Sequence, residues 1–270
     1  MDADVSGEEG YARGLARACA GALIFGFPLL MTMEMWQAGF HMDRFRLALF
    51  VVVTAAVVLG LSRFAGFRDP STLADDTRDA LAALLVGYVV SAVLLAAMGL
   101  IGPGMSLRET LGMLAVQAGP ASMGAVLANK QLQQGMAGAP KEDRAGYLGE
   151  LFLMSAGALF FAFNVAPTEE MILIGFKMSP WHAVALVLLS LLVLHALVFT
   201  VGFAGQHEHE GHGRAFLRFT LSGYGLAVLV SLYVLWTFGR LDAGLSEAIR
   251  AVVVLGFPSA LGAALARLVV

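Results

Sequence analysis

The chain has 270 residues, of which 59% are hydrophobic and only 14% charged, with a formal net charge of -3. Soluble domains carry about 25% charged residues, so a surface that faces water throughout is excluded. The charge balance argues against nucleic acid as a partner, and the lone Cys19 excludes an intrachain disulfide and disfavours a Cys-ligated metal cluster.

The acidic opening, Met1 to Tyr11, is unlike the basic start of a secretory signal, so the first apolar stretch is expected to stay in the membrane. A bilayer core of about 30 Å needs about 20 apolar helical residues. Eight segments meet this in chain order: Leu15 to Gly39, Phe45 to Leu61, Ala80 to Ile101, Glu109 to Asn129, Leu151 to Gly175, Trp181 to Phe203, Phe219 to Phe238 and Leu245 to Leu268. The fourth and eighth each have a Glu near the start and a Gly/Pro interruption, at Gly119-Pro120 and Gly256-Phe257-Pro258. They either cross or are re-entrant, the latter requiring that protein or water cover the interrupted backbone.

The segments repeat. Residues 20–46 align with 156–182 without a gap, and 12 of the 27 positions are identical, including Gly21, Phe25, Thr32, Glu34, Met35 and Gly39. Roughly a tenth would match by chance in so biased a composition. Gly87-Tyr88 falls over Gly223-Tyr224 at the same offset. After a two-residue insertion, Leu107, Glu109, Val116, Pro120, Gly124, Ala125, Leu127 and Ala128 fall over Leu245, Glu247, Val254, Pro258, Gly262, Ala263, Leu265 and Ala266. Shared Glu, Pro, Thr and Gly in order are not explained by apolarity alone. The expected fold is therefore all-α: a polytopic membrane helix bundle of about eight transmembrane helices in two four-helix repeats. The first repeat covers residues 1–134, a polar cytoplasmic linker 135–149, and the second repeat 150–270.

Lys and Arg set orientation through their cytoplasmic excess. Eight spans place 11 of the 17 basic residues on the side that holds both termini and 6 on the other, whereas two re-entrant segments give no bias. Cytoplasmic termini and parallel repeats follow.

Glu34 and Glu170 occupy the same place in the two repeats, within Thr32-Met-Glu34-Met35 and Thr168-Glu169-Glu170-Met171. If each span runs unbroken to Phe40 or Phe176, the acid lies about 9 Å inside its outer end. An acid at that depth faces the bundle interior or a water-filled cavity. With Glu169, the pair suggests a site for protons or a small cation, or else an interfacial Glu reaching headgroup water. Pro28 in the first repeat, and Asn164 and Pro167 in the second, point to helix breaks whose freed carbonyls would add ligands, as would Thr32 and Thr168. Pro120 and Pro258 point to further breaks, or to close packing through neighbouring glycines. His195 is the one histidine in the middle of a span and reads as a hydrogen-bonded structural residue or a proton relay. His207, His209 and His212, in Gln206-His-Glu-His-Glu-Gly-His-Gly213, offer metal ligands on a short loop whose default is solvation.

The Gly26 to Trp36 and Asn164 to Met171 runs resemble a bacterial family of integral membrane proteins whose function is not established. The resemblance covers nearly the whole chain and implies a bacterial inner-membrane protein, without naming a substrate.

The sequence thus suggests permeation or transport of a small cation or protons through the paired Glu residues, in a non-enzymatic protein without a cofactor. Its partners are the lipid bilayer and H+, Na+ or Ca2+, and homo-oligomers are compatible with it. The alternatives are a non-transporting scaffold or sensor, and an intramembrane glutamate-dependent protease suggested by Glu169-Glu170. Against the protease, position 174 is Ile where that family has Arg, and His195 stands alone.

Overall fold

A computed structural model describes residues 2–65, 72–134, 146–201, 216–242 and 244–269, and every regular element among them is helical. In order these are α1 (Asp2–Leu30), α2 (Met33–His41), α3 (Arg44–Ala65), α4 (Leu73–Ala97), α5 (Leu107–Gln134), α6 (Tyr147–Val165), α7 (Glu169–Lys177) and α8 (Pro180–Val201). A π-helical turn, Phe216–Leu221, then leads into α9 (Ser222–Thr237), and α10 (Leu245–Val269) follows. Eight stretches are long and apolar enough to cross a membrane: those of α1, α3, α4, α5, α6, α8, the π-turn with α9, and α10. The remaining helices, α2 and α7, have 9 residues each.

The chain divides into two compact units, residues 1–140 and 141–270. In the first, α5 touches α1, α2, α3 and α4, and every residue from 116 to 128 is buried. In the second, α10 has the same place among α6, α7, α8 and α9. Apolar burial drives little association between helices in lipid, so close packing has to hold them, and small residues supply it. A Cβ on Gly21 of α1 would lie 3.0 Å from the Gly124 carbonyl carbon of α5, and one on Gly157 of α6 would lie 2.9 Å from that of Gly262 in α10. These four glycines are aligned partners in the two halves, as are Phe25 and Phe161, which crowd Gly124 and Gly262.

The α4 and α9 ends also match. Gly99 and Gly239 have φ of +70° and +69°, which glycine adopts without a side-chain clash. The N–H groups of Leu100 and Arg240 each donate to the carbonyl five residues back, of Leu95 and Leu235, at 2.8 Å. On this registration Ser91 corresponds to Ser231, so the Gly87-Tyr88 match to Gly223-Tyr224 is displaced by one helical turn. Packing agrees: Gly87 faces Ser122, whereas Gly223 faces Met154.

Two expected breaks, at Pro120 and Pro258, are absent, and the one expected at Pro28 comes three residues later. The helices run through Pro28, Pro120 and Pro258, and α5 and α10 are continuous rather than re-entrant. Membrane helices tolerate proline because neighbouring groups and small local adjustments satisfy the freed carbonyl. The break in the first unit comes after Pro28, at Met31 and Thr32. In the second it spans Ala166, Pro167 and Thr168, so only Pro167 lies within a break.

Helix α4 starts seven residues before the apolar run that identified it. Thr72 and Asp75 form a capping box there, with the Thr72 hydroxyl accepting from Asp75 N–H at 3.3 Å and the Asp75 carboxylate from Thr72 N–H at 3.2 Å. Ser106 and Glu109 do the same at the start of α5, at 3.2 and 3.0 Å.

Candidate functional site

Each unit carries one interrupted helix at one end. After α1 the backbone turns at Met31-Thr32, and the Thr32 hydroxyl donates to the Leu29 carbonyl at 2.7 Å. After α6 the Thr168 hydroxyl donates to the Val165 carbonyl at 2.8 Å. The Thr32 and Thr168 N–H groups reach the same two carbonyls at 3.1 Å. A side chain that satisfies a terminal carbonyl offers the backbone an alternative to continuing the helix. The chain then restarts as α2 or α7, with Glu34, or Glu169 and Glu170, in the first turn.

This placement differs from the unbroken helix expected through the acids. Helices α1 and α6 end at Leu30 and Val165, so Glu34 and Glu170 lie on the short helices after the break rather than within an unbroken helix. Glu34 is half-buried, while Glu169 and Glu170 are exposed. All three sit where the positive end of a helix dipole favours a carboxylate. Asn164, expected at the break, instead donates to the Phe160 carbonyl of its own helix at 2.8 Å.

Two arginines absent from the expected site flank α7. Arg240, just beyond α9, donates to the Pro167 carbonyl at the break. Arg250 of α10 donates to the Met178 carbonyl just after α7, at 3.3 Å, and to Ser246 Oγ at 3.0 Å. In the first unit, Leu100 holds the turn position of Arg240 and Gly112 is the aligned partner of Arg250, so no arginine flanks α2 in that way.

Buried acids also lie at the opposite ends of the units. Asp76 and Asp79 on α4 and Glu150 on α6 are each at least 95% buried. Asp76 pairs with Arg63 at 3.7 Å. Their signal was present as acids three residues apart, on the face that continues into buried Ala80 and Ala83. Gln117 donates to the Gly26 carbonyl at 2.7 Å, a link between α5 and α1 that sequence did not identify. His195 shares a 2.8 Å hydrogen bond with Thr220 of the π-turn, as a structural histidine would. His207, His209 and His212 lie outside the described residues, as does most of the linker. Among the described residues, no three His, Cys, Asp or Glu side chains gather where they would hold a metal ion.

No curated protein and no solved structure matches the chain at a significant level. Two buried-glycine units, eight membrane-length helices (all but the start of α1) and a threonine-glutamate break after the first helix of each unit fall within residues 14–270. That stretch matches the family described as "Putative integral membrane protein (DUF2391)", and the chain belongs to this family of multi-pass membrane proteins.

Proposed function

We propose that the protein arose by duplication of a four-span unit and moves a small cation or protons across the membrane, with Glu34 and Glu170 as the carboxylates that first take it up. The observation that carries this reading is one local construction found in both units: a span that ends, a threonine hydroxyl on the carbonyl three residues back, and a glutamate two residues after the threonine. A packing role alone would not call for an acid at both positions, since neither carboxylate is deeply buried.

The helix contacts favour a carrier over an open pore within a unit. Gly21 against Gly124, and Gly157 against Gly262, bring backbones together where a pore would need space. The site would work by binding and release at the interrupted helix, with no covalent step.

The direct test is purified full-length protein in liposomes, with H+, Na+ and Ca2+ flux compared against empty vesicles. Flux of one of these ions above background is expected; none for any of them, with protein that is folded and inserted, would end the transport reading. We also place both termini in the bacterial cytoplasm, from the 11-to-6 distribution of basic residues. Reporter fusions at Ala139 and at the C-terminus should then both report cytoplasm, and an external signal at either defeats this orientation.

A further inference from the structure

The short helices α2 and α7 hold different positions on their units, and one aligned pair of residues accounts for the difference. In the first unit Gly39 of α2 lies directly on α5: a Cβ there would sit 2.6 Å from Met113 Cα. In the second unit the aligned Gly175 of α7 is looser, and its Cβ would find nothing nearer than Ala251 N at 3.7 Å and Arg250 Cβ at 3.8 Å. Side-chain exposure follows. Leu173, Ile174 and Phe176 are 53%, 50% and 59% exposed, while their partners Gln37, Ala38 and Phe40 are all half-buried.

Met113 and Ala251 are aligned partners, so Gly112 and Arg250 are too. A Cβ on Gly112 would strike the Gly39 carbonyl. Docking of the α2 kind therefore requires a glycine beneath the short helix, and the second unit has an arginine there. The Arg250 guanidinium reaches past the end of α7 to Met178 and Ser246, while Arg240 holds the Pro167 carbonyl before its start. The planar, multiply donating Arg250 guanidinium suits a carbonyl and a hydroxyl at two places better than a single ammonium would.

We propose that α7 is a movable cap, kept raised from α10 by Arg250 acting as wedge and strut, and that the docked position of α2 on α5 marks the other end of its travel. Arg240 fixes the hinge side of the cap at Pro167. Glu169 and Glu170 ride on the first turn of α7, so raising and docking the cap moves them relative to the end of α10. This last step rests on the proposed function. The cap itself does not.

The test uses the detergent-solubilised full chain with Cys19→Ser and Leu173→Cys, and reads the rate of maleimide modification. Arg250→Gly restores the residue of the first unit. It is expected to slow modification several-fold, because position 173 then takes the half-buried place of Gln37. Arg250→Met keeps the bulk and loses both hydrogen bonds, so modification should be as fast as with Arg250 or faster. Equal rates in all three proteins overturn the proposal, as does Arg250→Gly labelling as fast as Arg250→Met. Should Arg250→Gly fail to fold, Gly112→Ala with Gln37→Cys gives the reciprocal test: lifting α2 should speed modification at position 37, and an unchanged rate overturns the wedge. The labelling is independent of flux. A cap that moves in a protein without flux removes the transport reading alone, and acid-dependent flux with a fixed cap removes the cap alone.

Discussion

Gly124→Leu is expected to be among the most damaging single substitutions in the chain. Any side chain at this position meets Phe25 Cβ at 2.6 Å and the Gly21 carbonyl oxygen at 2.7 Å, and one of these two is backbone. No rotamer of leucine avoids both, so α1 and α5 have to separate and lose the contacts on either side. Overpacking typically costs 1–3 kcal/mol, and with rigid backbone on the far side we expect about 3 kcal/mol or more. That is a large part of the 5–15 kcal/mol that holds a typical protein together. The measurement is the thermal-unfolding midpoint in detergent, with a drop of roughly 6 °C or more expected. Gly225→Leu is the control, since a Cβ there meets nothing within 4 Å. If both variants keep the midpoint of the parent protein, glycine packing does not hold the first unit together.

Glu34→Gln should reduce cation flux more than Glu170→Gln, and the double variant should lose nearly all of it. Glutamine keeps the shape and removes the charge. A cation about 4 Å from a carboxylate gains about 1 kcal/mol in water and about 4 kcal/mol at a partly shielded surface. Half-buried Glu34 lies between these limits, so a loss of roughly tenfold or more is expected from that change alone. Glu170 is exposed and has Glu169 beside it, whereas the neighbour of Glu34 is Met33, so Glu170→Gln is partly covered by the adjacent acid. Folding should survive, because a first-turn charge contributes only about 0.3–1 kcal/mol through the helix dipole. Normal flux in the double variant would remove these acids from the pathway.

Much of the architecture was legible because it depends on features a sequence carries openly. Apolar runs gave eight spans, and glycines beside Pro120 and Pro258 marked places of close helix approach, although their partners Gly21 and Gly157 emerge only from the structure. The breaks were harder to place. Proline marks where a backbone donor is missing, but α1 continues past Pro28 and stops where Thr32 takes the Leu29 carbonyl. That choice turns on hydroxyl geometry, and Thr32 was read as an ion ligand rather than as a helix terminator. The unbroken helix expected through Glu34 failed for the same reason, since the hydroxyl of Thr32 ends α1 before the acid is reached. The signal for the cap was present in the repeat alignment, at a mismatch. Gly112 opposite Arg250 stands between the matched Glu109/Glu247 and Val116/Val254, and the contrast acquires meaning only once Gly39 is seen resting on α5.

The position of the breaks has an electrical consequence. The apolar run of α1 ends at Leu30, where the helix stops. If the insulating layer ends with that run, the turn at Thr32 lies at its edge and Glu34 just outside it. A charge that crosses the whole layer gains about 2.3 kcal/mol per 100 mV, but one that stops at Glu34 has crossed almost none of that drop. In the proposed transport function, uptake there would then respond little to membrane voltage and more to dissolved salt, which screens exposed charges over about 8–10 Å at physiological strength.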